Sequence, residues 1–259
     1  MTDARRYFKA IVEYEGTDFR GFQWQHETRT VQGILEQAIN LRTSEATRVT
    51  GAGRTDAGVH ALGQVISFSA ETKIPTEKMT LALNGALPSD CRVRQVEEVE
   101  EGFNARFSAS ARAYAYLILN RSAPSAVLAR FSAFEPVPLD VTKMQSAANL
   151  LVGEMDYSSF TNELDPDKST MRAVRRFRVD RRKQLVVVRI EANAFLRGMV
   201  RNLVGTLLQV GAGKIEPETV EAIRDAKDRK AAGPTAPAKG LCLMKVRYGH
   251  RIDFGARNN

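Results

Sequence analysis

The segment Gly51-Ala-Gly-Arg-Thr-Asp-Ala-Gly-Val-His60 constrains the fold more than any other stretch of the chain. Its three glycines fall within eight residues, and Asp56 is the only carboxylate among them. The β-prone run Arg48-Val-Thr50 precedes it, and Gln64-Val-Ile-Ser-Phe68 follows in the period of a half-buried strand. The segment therefore reads as strand, glycine-rich loop, strand, with Asp56 at the centre of the loop. Glycine allows the sharp turn and lets a ligand approach the backbone. Arg54, two residues before Asp56, shares a side with it if the segment is extended. An aspartate in such a turn ordinarily caps its own backbone; a carboxylate aimed at a ligand is the alternative. Two nucleotide-binding motifs are excluded. Gly53 and Gly58 have phosphate-loop spacing, but Val59 and His60 stand where Lys and Ser or Thr are required. Ala57 breaks the dinucleotide fingerprint that Gly51 and Gly53 begin.

With 259 residues, 43% of them hydrophobic, the chain can bury a sizeable core as one large domain or two small ones. Lys and Arg total 38 against 30 acidic residues, a net charge of +8 that favours a polyanionic partner. No apolar run is long enough to span a bilayer, and Met1-Thr-Asp-Ala-Arg-Arg6 has no signal-peptide core, so a cytoplasmic protein without membrane contact is expected. Cys91 and Cys242 are too few for a disulfide framework and read as reduced core residues. His26, His60 and His250 have no ligand spacing among themselves or with the cysteines, so no structural zinc is expected.

Along the chain, Tyr7 to Tyr14 reads as a strand with Phe8, Ala10, Val12 and Tyr14 on one face. The loop Glu15 to Gln25 interleaves aromatics with Arg20 and two glutamines; Phe19, Phe22 and Trp24 are base-stacking groups or core anchors. A helix from about Val31, capped by Thr30, carries Val31, Ile34, Leu35, Ala38 and Ile39 on one face. Pro75 and Thr76 open a second helix through about Leu83, and Arg92 to Val99 is another strand. In the strand Ala111 to Leu119, Tyr114, Tyr116 and Ile118 face one way, which suits either a platform for a planar group or an ordinary half-buried strand.

Ser122 to Pro138 reads as a surface connection, Asp140 as the cap of a helix to about Leu151, and Glu154 to Arg172 as a long loop. Arg172 to Lys183 holds seven basic residues around the single acid Asp180 and leads into Leu185-Val-Val-Val-Arg-Ile190. This is a basic hairpin whose Arg172, Arg175, Arg176 and Arg178 are candidates for RNA phosphate contacts, a solvated edge being the plainer alternative. Phe195 to Val210 is the clearest helix, with an unbroken apolar stripe from Leu196 to Leu208. Arg201 lies off that stripe, flanked by Gly198 and Gly205, so something can approach it closely; a buried arginine also needs a carboxylate partner. A further helix is expected near Glu216 to Ala226 and a last strand over Leu241 to Tyr248, with Gly249 to Asn259 a frayed tail. The order predicts an α+β fold: a mostly antiparallel sheet, helices on one side, and two similar halves, 1–105 with the Asp56 loop and 106–259 with the basic hairpin and the Arg201 helix.

Several separated motifs resemble those of the A-type tRNA pseudouridine synthases. They are the Gly21–Gln25 loop, Val31-Gln32, the stretch Ala52 to His60 with Gly63-Gln64, and Phe103-Asn-Ala-Arg-Phe-Ser108. Ala111-Arg-Ala-Tyr114, Ala192-Asn-Ala-Phe195, Met199-Val-Arg-Asn202 and Gly240-Leu241 complete the set over nearly the whole chain. Gly198 and Cys242 depart from residues common in that family. The resemblance implies the pseudouridine synthase fold and isomerisation of uridines 38, 39 and 40 in the anticodon arm of tRNA, by a homodimer that uses no cofactor or metal. It implies that Asp56 is the nucleophile, which Arg201 keeps ionised as its salt-bridge partner. Tyr114 is then the residue that stacks on the target base and can assist proton removal at C5. Leu241 lines the base pocket, Arg54 helps extrude the base, and Arg106 is a further substrate contact.

Overall fold

A computed structural model describes residues 5–43 and 46–249, in which ten strands form a single sheet. The first half of the chain supplies β1 (Arg5–Tyr14), α1 (Val31–Thr43), β2 (Thr50–Gly51), β3 (His60–Glu71), α2 (Thr76–Asn84) and β4 (Cys91–Val99). The second half supplies β5 (Ala109–Asn120), β6 (Ala133–Glu135), α3 (Val141–Asn149), β7 (Gly153–Asp156), β8 (Met171–Arg182) and β9 (Leu185–Ala192). It ends with α4 (Met199–Gly211), α5 (Thr219–Asp225) and β10 (Leu241–Tyr248). The sheet order is β4-β1-β3-β10-β5-β9-β8-β7, with β2 added to β3 and β6 to β5. Only β3–β10 and β5–β6 are parallel pairs. The fold is therefore α+β on a mostly antiparallel sheet, and its two halves meet where the last strand runs alongside β3.

Strand alternation sets one continuous buried face. Phe8, Ala10, Val12 and Tyr14 are buried along β1, and Phe8 stacks on its cross-strand partner Phe68 at 5.2 Å between ring centroids. In the second half, Phe177, Ile190, Tyr114 and Leu243 lie side by side across β8, β9, β5 and β10. The paired helices α1 and α2, and α3 and α4, cover this face through Leu35, Ile39, Met79, Met144, Leu203 and Leu207, all buried. Burying a side chain of this size is worth roughly 1.5–3 kcal/mol, so the apolar stripe rather than helix propensity fixes where each helix lies. Asp140 caps α3, its Oδ1 accepting from the Lys143 amide at 3.0 Å, as its sequence position predicts.

Three elements differ from the sequence reading. The helix expected from Phe195 begins at Met199, because Gly198 adopts a left-handed φ of 72°. A β-carbon on Gly198 would lie 2.3 Å from Asn162 Nδ2, so glycine is required there. The connection Ser122 to Pro138 contains β6, paired with β5, and the loop expected from Glu154 contains most of β7, paired with β8. Both are short strands without strong alternation, which the pattern of apolar residues alone does not reveal. The expected frayed tail falls, from residue 250 onward, outside the described residues.

One edge of β3 is divided. Ser67 and Ile66 pair with β2, whereas His60 and Ala61 pair with β10. The chain between β2 and β3 therefore leaves the sheet at the fork between the two halves. That chain is the loop carrying Asp56.

Candidate active site

The loop is tethered residue by residue. Gln64 Nε2 donates to Gly53 O at 2.8 Å, and the Thr55 hydroxyl lies 2.8 Å from the buried Tyr14 hydroxyl. The Phe22 amide donates to Thr55 O at 3.0 Å, and the Val59 amide to Asp56 O at 3.2 Å. His60 closes the loop from beneath: its Nδ1 accepts from the Gly16 amide at 2.9 Å, so Nε2 carries the proton and faces Arg130 O at 2.9 Å and Lys239 O at 3.2 Å. These bonds fix the backbone around Asp56 without using its side chain.

The Asp56 carboxylate accepts from no backbone amide among the described residues. The turn-capping role open to an aspartate in such a loop is therefore not the one it plays. Its Oδ2 instead receives Arg201 Nη1 at 2.9 Å, across the fork and from α4. Arg201 Nε donates to Ala236 O at 2.8 Å, which fixes the guanidinium plane. The two side chains remain 32% and 20% exposed, so the pair is partly open to solvent, and the second oxygen, Oδ1, has no hydrogen-bond partner among the described residues. The glycines flanking Arg201 serve other contacts. Asn162 packs at Gly198, and Pro234 lies against Gly205, where a β-carbon would meet Pro234 O at 1.7 Å. The close approach read from the sequence is made by the chain itself.

Tyr114 borders the same site. A β-carbon on Gly53 would lie 3.8 Å from its hydroxyl, and the Phe195 ring meets it edge-on at 5.1 Å. Burial pushes the Tyr114 phenol above the ordinary tyrosine range; the positive charge of Arg112 opposes the shift and the negative charge of Asp56 adds to it. The row of tyrosines divides here, because Tyr116 is fully buried with its hydroxyl donating to Pro237 O at 2.7 Å. Leu241 opens β10, pairs with Tyr116 and is buried, an apolar neighbour to both tyrosines. Arg54 is exposed, and its guanidinium has no hydrogen bond or ion pair among the described residues. Arg106 is exposed in the β4–β5 connector, its guanidinium 5.5 Å from the Phe107 ring centroid.

The arginines of the basic hairpin have different fates, and the register shift between Val174 and Arg176 leaves Arg175 out of the ladder. Arg172 turns back on its own strand and donates to Ser169 O at 2.7 Å and Met171 O at 2.6 Å. Arg175 turns inward, with Nη2 donating to Ser110 O at 3.2 Å. Arg176 and Arg178 are exposed opposite Glu191 and Arg189, on the face of the sheet away from Tyr114. In the Glu15 to Gln25 loop, Phe19 and Phe22 are buried core anchors, while Trp24 is exposed with Arg48 over its ring at 5.9 Å.

Sequence reading assigned no role to Arg112. This residue is buried on the Tyr114 face of β5, and among the described residues no carboxylate pairs with it. The available signal is its place two residues before Tyr114, a charge on the apolar face of a strand.

A family model described as tRNA pseudouridine synthase matches residues 10–108 and 147–249. A protein named tRNA pseudouridine synthase A from Thermoanaerobacter sp. (strain X514) is 43% identical over 238 residues, 92% of this chain and 98% of the relative. Proteins of the same name from Pseudothermotoga lettingae and Brevibacillus brevis are 42% and 44% identical, covering 93% of this chain and 99% and 98% of their own length. Across the described residues, no helix is long and apolar enough to cross a membrane.

Proposed function

Because the chain belongs to the tRNA pseudouridine synthase family, we propose that it isomerises uridines 38, 39 and 40 in the anticodon arm of tRNA, with Asp56 as the nucleophile. The observation that carries this reading is the Asp56–Arg201 pair: a fixed loop, one carboxylate oxygen held at 2.9 Å and the other without a hydrogen bond among the described residues. That second oxygen attacks the nucleoside, at the sugar C1′ or at the base ring. The C1′–N1 bond breaks, the uracil turns, C5 bonds to C1′, the bond between Asp56 and the nucleoside breaks to return the free carboxylate, and the proton lost from C5 is balanced by one gained at N1. The product is an isomer of the substrate, so the balance requires no oxidant, reductant or energy source.

Tyr114 stacks on the target base from the β5 side, and Leu241 supplies apolar surface beside it. Since burial holds the phenol neutral, it suits stacking and hydrogen-bond donation; taking the C5 proton would first require loss of its own, which burial opposes. Arg54, unpaired and two residues from Asp56, is suited to hold the gap left by an extruded base, because its planar guanidinium can stack there. Arg106 contributes a second cation on the neighbouring connector. On the remote face, Arg176 and Arg178 are the hairpin residues available to phosphates, whereas Arg172 and Arg175 are partly buried and each donates to the chain itself. The same reading makes the protein a cytoplasmic homodimer with tRNA lying across both subunits. The test is to incubate the purified protein with unmodified tRNA and map pseudouridine by carbodiimide adducts and primer extension. Modification confined to 38, 39 and 40 is expected. Modification elsewhere would overturn the site, and tRNA bound but unchanged would indicate a binding protein.

A further inference from the structure

Arg112 is joined to the site by an unusual set of partners. All five of its N–H groups are used, and every acceptor is a backbone carbonyl. Nε and Nη2 donate to Ala52 O at 3.2 and 2.9 Å. Nη2 also reaches Arg106 O at 2.6 Å, and Nη1 reaches Asn193 O at 2.7 Å and Ala109 O at 3.2 Å. A buried guanidinium is ordinarily balanced by a carboxylate. Here burial pulls Arg112 down from its ordinary value and no carboxylate compensates, so its stabilisation comes from oriented carbonyl dipoles.

The identity of the carbonyls gives this arrangement its meaning. Ala52 begins the loop that carries Arg54 and Asp56. Arg106 is itself the cation on the β4–β5 connector. Asn193 begins the turn that places Phe195 against Tyr114 and leads into the helix of Arg201. One planar group in β5, two residues before Tyr114, therefore fixes three separate segments around the site, including one from the opposite half of the chain. Only a guanidinium supplies five N–H groups in a rigid plane; a lysine ammonium supplies three on a tetrahedral centre and must leave carbonyls unpaired.

We propose that Arg112 is a positioning residue for the isomerisation: its guanidinium sets the Asp56 loop, the Arg106 connector and the Phe195 turn in their reacting arrangement without touching the uridine. The proposal rests on the reading of Asp56 and Tyr114 as the reacting site. A misplacement of about 1 Å at a reacting centre costs on the order of 100-fold in rate, and Arg112→Lys is expected to reach that size.

The test is single-turnover release of tritium from tRNA carrying [5-³H]uridine, with enzyme in excess, for wild type, Arg112→Lys and Arg112→Gln. The account expects the rate constant to fall about 100-fold at full amplitude, with tRNA affinity within about threefold of wild type. A purely structural role would instead lower the concentration of folded enzyme, read by active-site titration against tRNA, and leave the rate constant at saturating folded enzyme unchanged. Amide exchange read by mass spectrometry in parallel should rise in residues 52–58, 104–108 and 193–198 and not along β1 or β9. That readout does not depend on turnover, so it separates failure of this proposal from failure of the functional reading, which no release by wild type would signal. An unchanged rate constant, weakened tRNA binding with a normal rate at saturation, or two variants that both fail to fold would each overturn the positioning role.

Discussion

The Asp56 loop and the β8–β9 hairpin both stand out in the sequence, one for its glycines and the other for its charge, yet they fold under opposite rules. In the loop four residues each have a partner of their own: Gly53 the Gln64 amide, Thr55 the Tyr14 hydroxyl, Asp56 the Arg201 guanidinium, His60 the Gly16 amide. In the hairpin the same residue type recurs, and its place in the strand and at the register shift after Val174 assigns it different fates. Arg175 bonds to Ser110 O, Arg181 to Leu139 O, and Arg176 and Arg178 face solvent. A motif of unlike residues specifies positions, because each side chain fits one partner. A run of like charges specifies only a net field, and the side chains that express it emerge once the register is known.

That contrast sets the order of expected effects. Asp56→Ala should reduce turnover by at least about 10⁴-fold with tRNA binding retained, because it removes the proposed nucleophile while the backbone tethers of the loop remain; a filter-binding titration beside a turnover assay reads both. His60→Ala should destabilise the protein by about 1–3 kcal/mol in chemical denaturation, since the Gly16 amide loses a buried acceptor. Turnover should fall with it through the loosened loop, so a His60 variant of normal stability would show that the tethers are dispensable. Arg176→Gln combined with Arg178→Gln should leave the rate at saturation unchanged and lower the slope of log affinity against log salt by between about 1 and 2. An unchanged slope would remove the hairpin from the RNA path. Arg172→Met is the smallest: it should leave that slope alone and shift stability by within about 1 kcal/mol, because Arg172 is partly desolvated with its Nε unpaired. A lost slope there would erase the division within the hairpin.

Much of the fold was legible from periodicity. The alternation of β1, β5 and β10 and the stripe of α4 gave the strands, the long helix and the α+β class, because each reflects one buried face. The start of α4 was not legible, since the apolar stripe runs back through Leu196 while the helix stops at a left-handed Gly198 set by packing against Asn162. β6 and β7 were missed because short strands take their stability from neighbours rather than from their own pattern. At the site, the position of Arg201 implies a carboxylate partner without naming it; Asp56 as that partner follows from the family resemblance, and the structure pairs the two. Arg112 escaped because its partners are backbone carbonyls, which carry no residue identity and are invisible in sequence. The row of tyrosines is only partly legible for a related reason: alternation places Tyr114 and Tyr116 on one face, but only the folded chain shows Tyr116 sealed by Pro237 and Gly240.

The central claim is that the carboxylate of Asp56 performs the isomerisation. It is tested most directly by tritium release from [5-³H]uridine-labelled tRNA with wild type and Asp56→Ala side by side, because the C5 hydrogen leaves only when the base is re-attached through C5. The account predicts release by wild type and none above background by the variant, with both binding tRNA equally. Release by Asp56→Ala at a rate near that of wild type would contradict it.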